Sequence, residues 1–516
     1  MKKIFSGSIF FIVLLVFTHE AFADRPYGGY YTKEKITNLR ANCDKYDWAR
    51  QLRNKAIEKA SIWLAKDDEE LWALIPGQDL PRCIDVTLDR LTKGPKILGC
   101  LKCGKDVFKY GNYPYEPDFE NKPWKLTCPS CKSVFPTNDF AKFYKSAIDE
   151  HGLFDPAKGD RTLLFNTDHP DANDPLHKFG VDDGFGYIDQ NGRSHKFVGY
   201  YTWKYWNYIN TGLAALADAF LYTGEEHYSR KAAIILDRLA DVYPDMDWKP
   251  YADRGWYHSD GGSSLGKIEG SIWETGIVQV FADSYDKILS GTVNNPELYT
   301  FLSQQSKKYQ LPSKKGTREL FIKNVDDRIL RTAFKGVLSK QIRGNQGMHQ
   351  LAVVMCALAL DTEPETTEWL DWTFAPAGGN IPGLMIANFD RDGTSDEGAP
   401  GYAFIWGRLI NQVAERLDGY KAYTKHNIIR EFPQFNTAFL AAYRMSALGI
   451  ALPNIGDSGA TGSVGSGISP QFIARGYALS RNPDLARAAY HANKNSANGL
   501  AQDIYSSDPD AISKEI

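Results

Sequence analysis

From Trp203 onward the chain repeats one pattern: apolar residues at three- and four-residue intervals, then a stop made of Gly, Pro, Asn or Thr. Residues 208–222 carry this spacing and halt at Thr223-Gly224, and residues 225–242 carry it and halt at Pro244. The same reading predicts helices over 272–289, 320–338, 346–360, 401–417, 433–448 and 471–479, with earlier ones over 44–64 and 69–74. The apolar/polar alternation of a half-buried strand is nearly absent. Such a chain buries its apolar faces helix against helix, so its fold class is mainly α. No period of about 34 residues recurs, which argues against a tetratricopeptide-like array. Long Gly-rich loops between the later helices suit an incomplete (α/α) toroid of helical hairpins, in which the loops gather at one mouth.

The amino terminus reads as an address. Lys2 and Lys3 precede the apolar stretch 4–17 and then Ala21-Phe22-Ala23, the pattern of a secretory signal over 1–23, cleaved before Asp24. Its apolar core falls short of the roughly 20 residues of a membrane span and is broken by Ser6, Gly7 and Ser8. The expectation is an exported protein, periplasmic or secreted, without membrane insertion. Charges nearly cancel, with 60 Lys and Arg against 63 Asp and Glu. That balance provides no global field for nucleic acid, so an acidic ligand must be held by local groups.

Cysteine spacing adds a second constraint. Cys100-Leu-Lys-Cys103 and Cys128-Pro-Ser-Cys131 form two C-x2-C pairs separated by 24 residues. Four soft thiolates on two tight knuckles suit a closed structural zinc site, and no organic cofactor is implied. Two disulfides are the alternative in an exported chain. Cys43 and Cys83 are able to pair with each other, whereas Cys356, inside an apolar helix, reads as a buried thiol. The resulting organisation is a signal over 1–23, an N-terminal helical segment over 24–97, a small zinc-ribbon-like insertion over 98–140 and the toroid over 141–516. Within the last, 155–201 is a loop region rich in Asp, Gly, His and Asn.

The stretch Arg343-Gly-Asn-Gln-Gly-Met-His-Gln350 stands directly before the apolar run 351–360. A helix beginning near Asn345 would put Asn345 and His349 on one face, with Arg343 in the preceding loop. One amide is enough to cap a helix, so Gln346 and the other polar groups are surplus. Residues 388–402 supply a counterpart: an acidic, Gly-rich loop that delivers Glu397 and Tyr402 beside Pro400-Gly401. A tyrosine there is a candidate acid or base if a cation or hydrogen-bond donor supports its phenolate.

These residues, with the cysteine pairs and the succession of helices, resemble the heparinase II/III and alginate lyase group of polysaccharide lyases. The likeness runs from about residue 95 to 500. It is carried by Asn345, by the loop from Asp392 to Tyr402, by Trp273-Glu274 ahead of an apolar helix, and by Pro453-x-x-Gly-Asp-Ser458. The resemblance implies β-elimination next to a uronic acid: Asn345 neutralises the uronate carboxylate and Tyr402 serves as base and acid. Donors must stabilise a developing enolate, and a base must lie within reach of the C5 proton. Relatives commonly follow the asparagine with histidine, where this chain has Gln346. The histidine role then falls to His349 or to His258 from the loop 254–259. The family also carries a β-sandwich after the toroid, which the likeness does not reach.

Smaller expectations concern substrate contacts. Glu274 and Asp457 are candidates to orient substrate or the histidine, and Tyr201 and Trp203, with Tyr200, Tyr205 and Trp206, are candidates for a sugar-stacking platform. The substrate is expected to be an acidic polysaccharide or oligosaccharide. A glycoside hydrolase using the carboxylates of 390–397 is one alternative, and a non-catalytic glycan-binding helical array is the other.

Overall fold

The computed structural model describes residues 25–89, 96–256, 263–397, 400–447, 451–455 and 468–516. The signal expected over 1–23, and the candidates His258 and Asp457, lie outside the described residues.

The described chain is mainly helical. It opens with α1 (Lys33–Lys45), α2 (Asp47–Leu64) and α3 (Asp68–Ala73), followed after the cysteine region by α4 (Phe140–Ser146). The long helices α5 (Phe197–Thr223) and α6 (Glu226–Val242) form a hairpin, with Gly224 in the left-handed region between them. Then come α7 (Lys249–Asp253), α8 (Ser271–Ile288), α9 (Pro296–Lys308), α10 (Arg318–Val325), α11 (Arg331–Leu338), α12 (Met348–Leu360), α13 (Glu365–Phe374) and α14 (Ile381–Ala387). After α15 (Pro400–Ala403) and α16 (Ile405–Asp418), five shorter helices complete the described chain, among them α18 (Asn436–Met445) and α19 (Pro470–Ser480). Strands are few and short. Thr87–Asp89 sits between Lys96–Ile97 and Arg193–His195, and Tyr187–Ile188 extends the sheet, all antiparallel. Leu126–Thr127 and Val134–Phe135 form a separate hairpin.

One arrangement organises the rest. Helix α8 packs between α5 and α12, and α12 packs in turn on α16. Contacts at both ends give these four helices a common direction. At their starts, the Trp203 indole N–H donates to Glu269 at 2.9 Å and the Ser271 hydroxyl donates to the Arg343 carbonyl at 3.1 Å. At their far ends, Lys287 donates to Asp218 at 2.7 Å, and Arg416 donates to Asp283 at 3.0 Å. The N-terminal ends of these four helices therefore lie toward one side of the molecule, with that of α5 covered by the cysteine region.

The opposite side is fastened by the segment just before α1. Gly29 N–H donates to the Leu358 carbonyl at 3.0 Å, and the N–H groups of Tyr30 and Tyr31 both donate to Asp286 at 3.2 Å. The pair Gly28-Gly29 is required by contact: a Cβ on Gly28 would stand 1.9 Å from Asp286 Oδ1, and one on Gly29 2.7 Å from the Leu358 carbonyl oxygen. Arg25 reaches further, to Asp326 at 3.0 Å and Tyr285 at 2.8 Å.

Helix α12 explains why the arrangement closes. Every residue from Gln350 to Leu360 is buried, and a helix that is apolar all round must be covered on all sides. It is covered by α8, α11, α13 and α16. A single apolar core runs from Ala60 to Leu500 and draws on residues of both 24–97 and 141–516. A second cluster joins the cysteine region to the start of α5.

Three expected helices differ in detail. The first begins at Phe197 rather than 208, because residues 197–202 are all buried and leave no one-sided periodicity to read. The span 320–338 divides into α10 and α11 around a π-helical turn at Asp326–Leu330, which contains the carboxylate held by Arg25. The span 346–360 begins at Met348. No helix among the described residues is long and apolar enough to cross a membrane.

Candidate functional site

The late start of α12 changes the geometry expected for Asn345. Gly347 has φ 87°, outside the helical region, and its N–H is taken by the Gln350 side chain at 3.0 Å. A Cβ on Gly347 would stand 2.8 Å from Leu409 Cβ on α16, so contact between helices fixes this turn as well. Asn345 thus neither caps α12 nor shares a helical face with His349. It lies in the turn ahead of the helix, exposed, with its carbonyl accepting from Met348 N at 3.0 Å. Its side-chain amide bonds to no other described residue, and Arg343 is exposed two residues earlier.

His349 lies in the first turn of α12, half-buried, with Nδ1 3.3 Å from the Gly344 carbonyl. A carbonyl only accepts, so Nδ1 carries the hydrogen and Nε2 keeps its lone pair. Burial pushes the imidazole down to about 4, aided by the Arg343 charge and opposed by the Gly344 hydrogen bond. His349 is therefore neutral near pH 7 and acts as a hydrogen-bonding group, not a cation.

Tyr402 sits on α15, 45% exposed, one turn ahead of Trp406 on α16. Its hydroxyl bonds to no other described residue. The acidic loop before it is largely occupied with its own shape. Asp392 accepts from Thr394 N at 3.0 Å and from the Thr394 hydroxyl at 2.8 Å, and Asp396 accepts from Asn388 at 2.8 Å. Glu397 is exposed and Gln346 half-buried.

Two candidate substrate contacts are corrected by burial. Tyr201 is 2% exposed, its ring centroid 4.8 Å from that of Trp124. It fastens the cysteine region to α5 and offers no face to a ligand. Glu274 is fully buried, with Oε1 accepting from the Tyr243 hydroxyl at 3.0 Å and Oε2 from Glu269 N at 2.8 Å. It builds the loop that opens α8. Trp203 stays half-buried, and its indole N–H is directed to Glu269.

Glu269 was not singled out from the sequence. Burial pushes its carboxyl up to about 7, reinforced by Glu274 beside it and opposed by Trp203 and Arg82. It stands two residues before Ser271, whose hydroxyl meets the Arg343 carbonyl, so a proton-holding carboxyl borders the loop that carries Asn345. The only local signal is an acid just ahead of a helix start in Lys-Ile-Glu-Gly-Ser-Ile-Trp-Glu, which is equally the mark of a favourable helix dipole contact.

The four cysteines form a separate centre. Their sulfur atoms all lie within 4.8 Å of one another, with Cys100 and Cys131 at 3.7 Å and Cys103 and Cys128 at 3.7 Å. The close pairs join one knuckle to the other, not the two cysteines within a C-x2-C, which sets aside the pair of local disulfides. A tetrahedral thiolate site with metal–sulfur bonds of about 2.3 Å has sulfur–sulfur edges of about 3.8 Å. The cluster fits that requirement. Lys102 N lies 3.4 Å from Cys100 Sγ, and the Cys131 thiol 3.4 Å from the Ser133 hydroxyl. Cys43 and Cys83 sit in different apolar clusters, while Cys356 is a buried thiol within α12.

No family model matches the chain, and no curated protein matches it in sequence.

Proposed function

We propose that the protein is a polysaccharide lyase that cleaves a uronic-acid-containing polysaccharide by β-elimination on an incomplete (α/α) toroid. One observation carries the reading. The parallel helices α5, α8, α12 and α16 bring Trp203, Glu269, Arg343, Asn345 and His349 to a common side, and Tyr402 immediately precedes α16. The Asn345 amide and the Tyr402 hydroxyl are exposed and uncommitted, as groups that wait for substrate must be.

In this reading Asn345 donates its amide hydrogen to the uronate carboxylate and lowers the cost of charge that develops there. The Tyr402 oxygen takes the C5 proton, the bond from C4 to the glycosidic oxygen breaks, and the departing oxygen recovers that proton from Tyr402. The product carries a C4–C5 double bond, and no water is consumed. His349 remains neutral, with Nε2 as an acceptor. The hydrolase alternative would draw on Asp390 and Glu397, because Asp392 and Asp396 hold the shape of their own loop.

Cys100, Cys103, Cys128 and Cys131 would hold a structural zinc as a zinc-ribbon-like insertion, and residues 1–23 would direct export to the periplasm or medium.

The test is a panel of uronate polymers incubated with the full chain and followed by ultraviolet absorbance. Growth of the unsaturated-product band with the wild type, and its loss with Tyr402→Phe, is the expected result. Cleavage of glycosidic bonds without that band overturns the lyase reading in favour of hydrolysis. Binding with no cleavage of any polymer overturns it in favour of a glycan-binding protein.

A further inference from the structure

Between the cysteine region, Ile84-Asp85 and Ile97 lies a cavity of about 350 Å³. Its floor holds Asp85, which is 5% exposed and has a carboxyl oxygen, Oδ2, without any hydrogen-bond partner. A smaller hollow continues from it along Val86, Pro114 and Tyr200, with Asp85 lining both. Ile84, Ile97 and Phe108 supply apolar walls, and Lys105, Asn112 and Tyr113 stand at the rim. The side chains of Lys105 and Asn112 bond to no other described residue. The Tyr113 ring is 39% exposed and lies 5.1 Å from the Trp203 ring, so the cavity adjoins the Trp203–Glu269 contact.

A buried carboxyl oxygen without a partner costs the fold free energy, and an apolar residue of like shape would avoid that cost. Its presence asks for a ligand with hydrogen-bond donors. Burial pushes Asp85 up to about 7, and the Lys196 ammonium opposes the shift. With Lys196 close to the floor and Lys105 at the rim, the cavity is poorly suited to a cation. What remains is a neutral or acidic molecule carrying several hydroxyl donors and an apolar face for Tyr113 and Phe108. A pyranose ring has that combination: hydroxyls around its edge and a C–H face for an aromatic ring. The volume lies at the small end of the roughly 300–1,000 Å³ of ligand pockets, which suits one or two sugar rings.

We propose that this cavity is a saccharide subsite in which Asp85 receives ring hydroxyls, Tyr113 stacks on the ring, and Asn112 and Lys105 bind its polar edge. The cysteine centre thereby gains a purpose beyond stability, because the knuckle it fixes carries Lys105 and leads directly to Phe108, Asn112 and Tyr113. A polymer held at the Asn345 side would extend past Trp203 into this cavity; that extension rests on the lyase reading, whereas the binding itself does not.

The experiment is ligand-observed saturation-transfer NMR on the full chain, with methyl glycosides of glucose, galactose, mannose and glucuronic acid as probes. At least one glycoside receives saturation from the wild type. Asp85→Leu weakens that binding at least tenfold while melting no lower than the wild type, and Tyr113→Ala on the exposed rim weakens it as well. Tyr402→Phe leaves it unchanged. The proposal is overturned if no glycoside binds the wild type, or if Asp85→Leu and Tyr113→Ala bind as well as it does. Failure of the lyase reading is seen separately, as absence of the unsaturated product with glycoside binding intact.

Discussion

The indole N–H of Trp203 donates at 2.9 Å to the carboxyl of Glu269, a residue 66 positions further along the chain. The contact ties the first turns of α5 to the loop that opens α8. It also places a reporter ring against a carboxyl that burial has raised to about 7. Ionisation of Glu269 then alters the emission of Trp203, with a midpoint near pH 7. A difference titration of tryptophan fluorescence measures this, and both Glu269→Gln and Trp203→Phe abolish that component. The same shift affects stability. A folded-state value above the ordinary carboxylate value means that the native state binds the proton more tightly. The contribution is therefore full below about pH 4.5 and lost as pH rises through about 7. Glu269→Gln flattens that part of the melting-temperature profile.

His349 gives the opposite sign. Its folded-state value of about 4 lies below the ordinary histidine value, so the unfolded chain takes up the proton first as pH falls. The stabilising contribution is present above about pH 6.5 and disappears as pH falls through about 4. Side-chain NMR of the intact protein follows the imidazole directly: the His349 signals remain those of the neutral Nδ1–H form at pH 5.5. A midpoint near the ordinary value would contradict the burial described for this ring.

Gly347 is fixed twice, by φ 87° and by the approach of Leu409. Gly347→Ala is expected to cost about 1–3 kcal/mol, from backbone strain together with the displaced α16 contact. Chemical denaturation measures the loss. The same change shifts the turn that carries Arg343 and Asn345, so under the lyase proposal turnover of a uronate polymer would fall even where the variant is fully folded.

Asn345 and its neighbours offer the converse case. Its side chain is exposed and bonded to no other described residue, so Asn345→Ala leaves the melting temperature within about 1 °C, as surface changes usually do. If the amide neutralises the uronate, kcat/KM falls by about 10²-fold or more, the size expected for a lost donor to a developing anion. A variant with full activity would remove Asn345 from the mechanism.

The cysteine centre predicts a metal count. Native mass spectrometry of the purified chain finds one zinc per chain, and Cys128→Ser, whose parent residue is fully buried, abolishes it. Loss of the metal lowers the melting temperature by several degrees and loosens the contact between Trp124 and Tyr201. A mass that drops by two hydrogens per cysteine pair, with no metal, would restore the disulfide alternative.

Some of this was legible one residue at a time. The helical spacing from 208 onward located α6, α8 and α19 within a residue or two, because the side that a helix buries is written at three- and four-residue intervals. The C-x2-C pairs located the four sulfur atoms, because two knuckles can converge on one point with little help from the rest of the chain. The mostly helical class followed from the same local rules. The positions of the helix ends did not. Met348 starts α12 because Leu409 presses on Gly347, and Phe197 starts α5 because the cysteine region covers its first turn. Neither cause has a period.

The tertiary structure alone decided which polar groups keep company. Tyr201 looked like a platform and is core, and Glu274 looked like a ligand contact and is a loop brace. Asp85 and Glu269, ordinary acids in the sequence, became the buried carboxyls of the region. Sequence spacing determines which side a residue faces within its own helix. Whether that side meets water, a neighbouring helix or a cavity depends on contacts between residues tens to hundreds of positions apart, and only the folded chain brings those together.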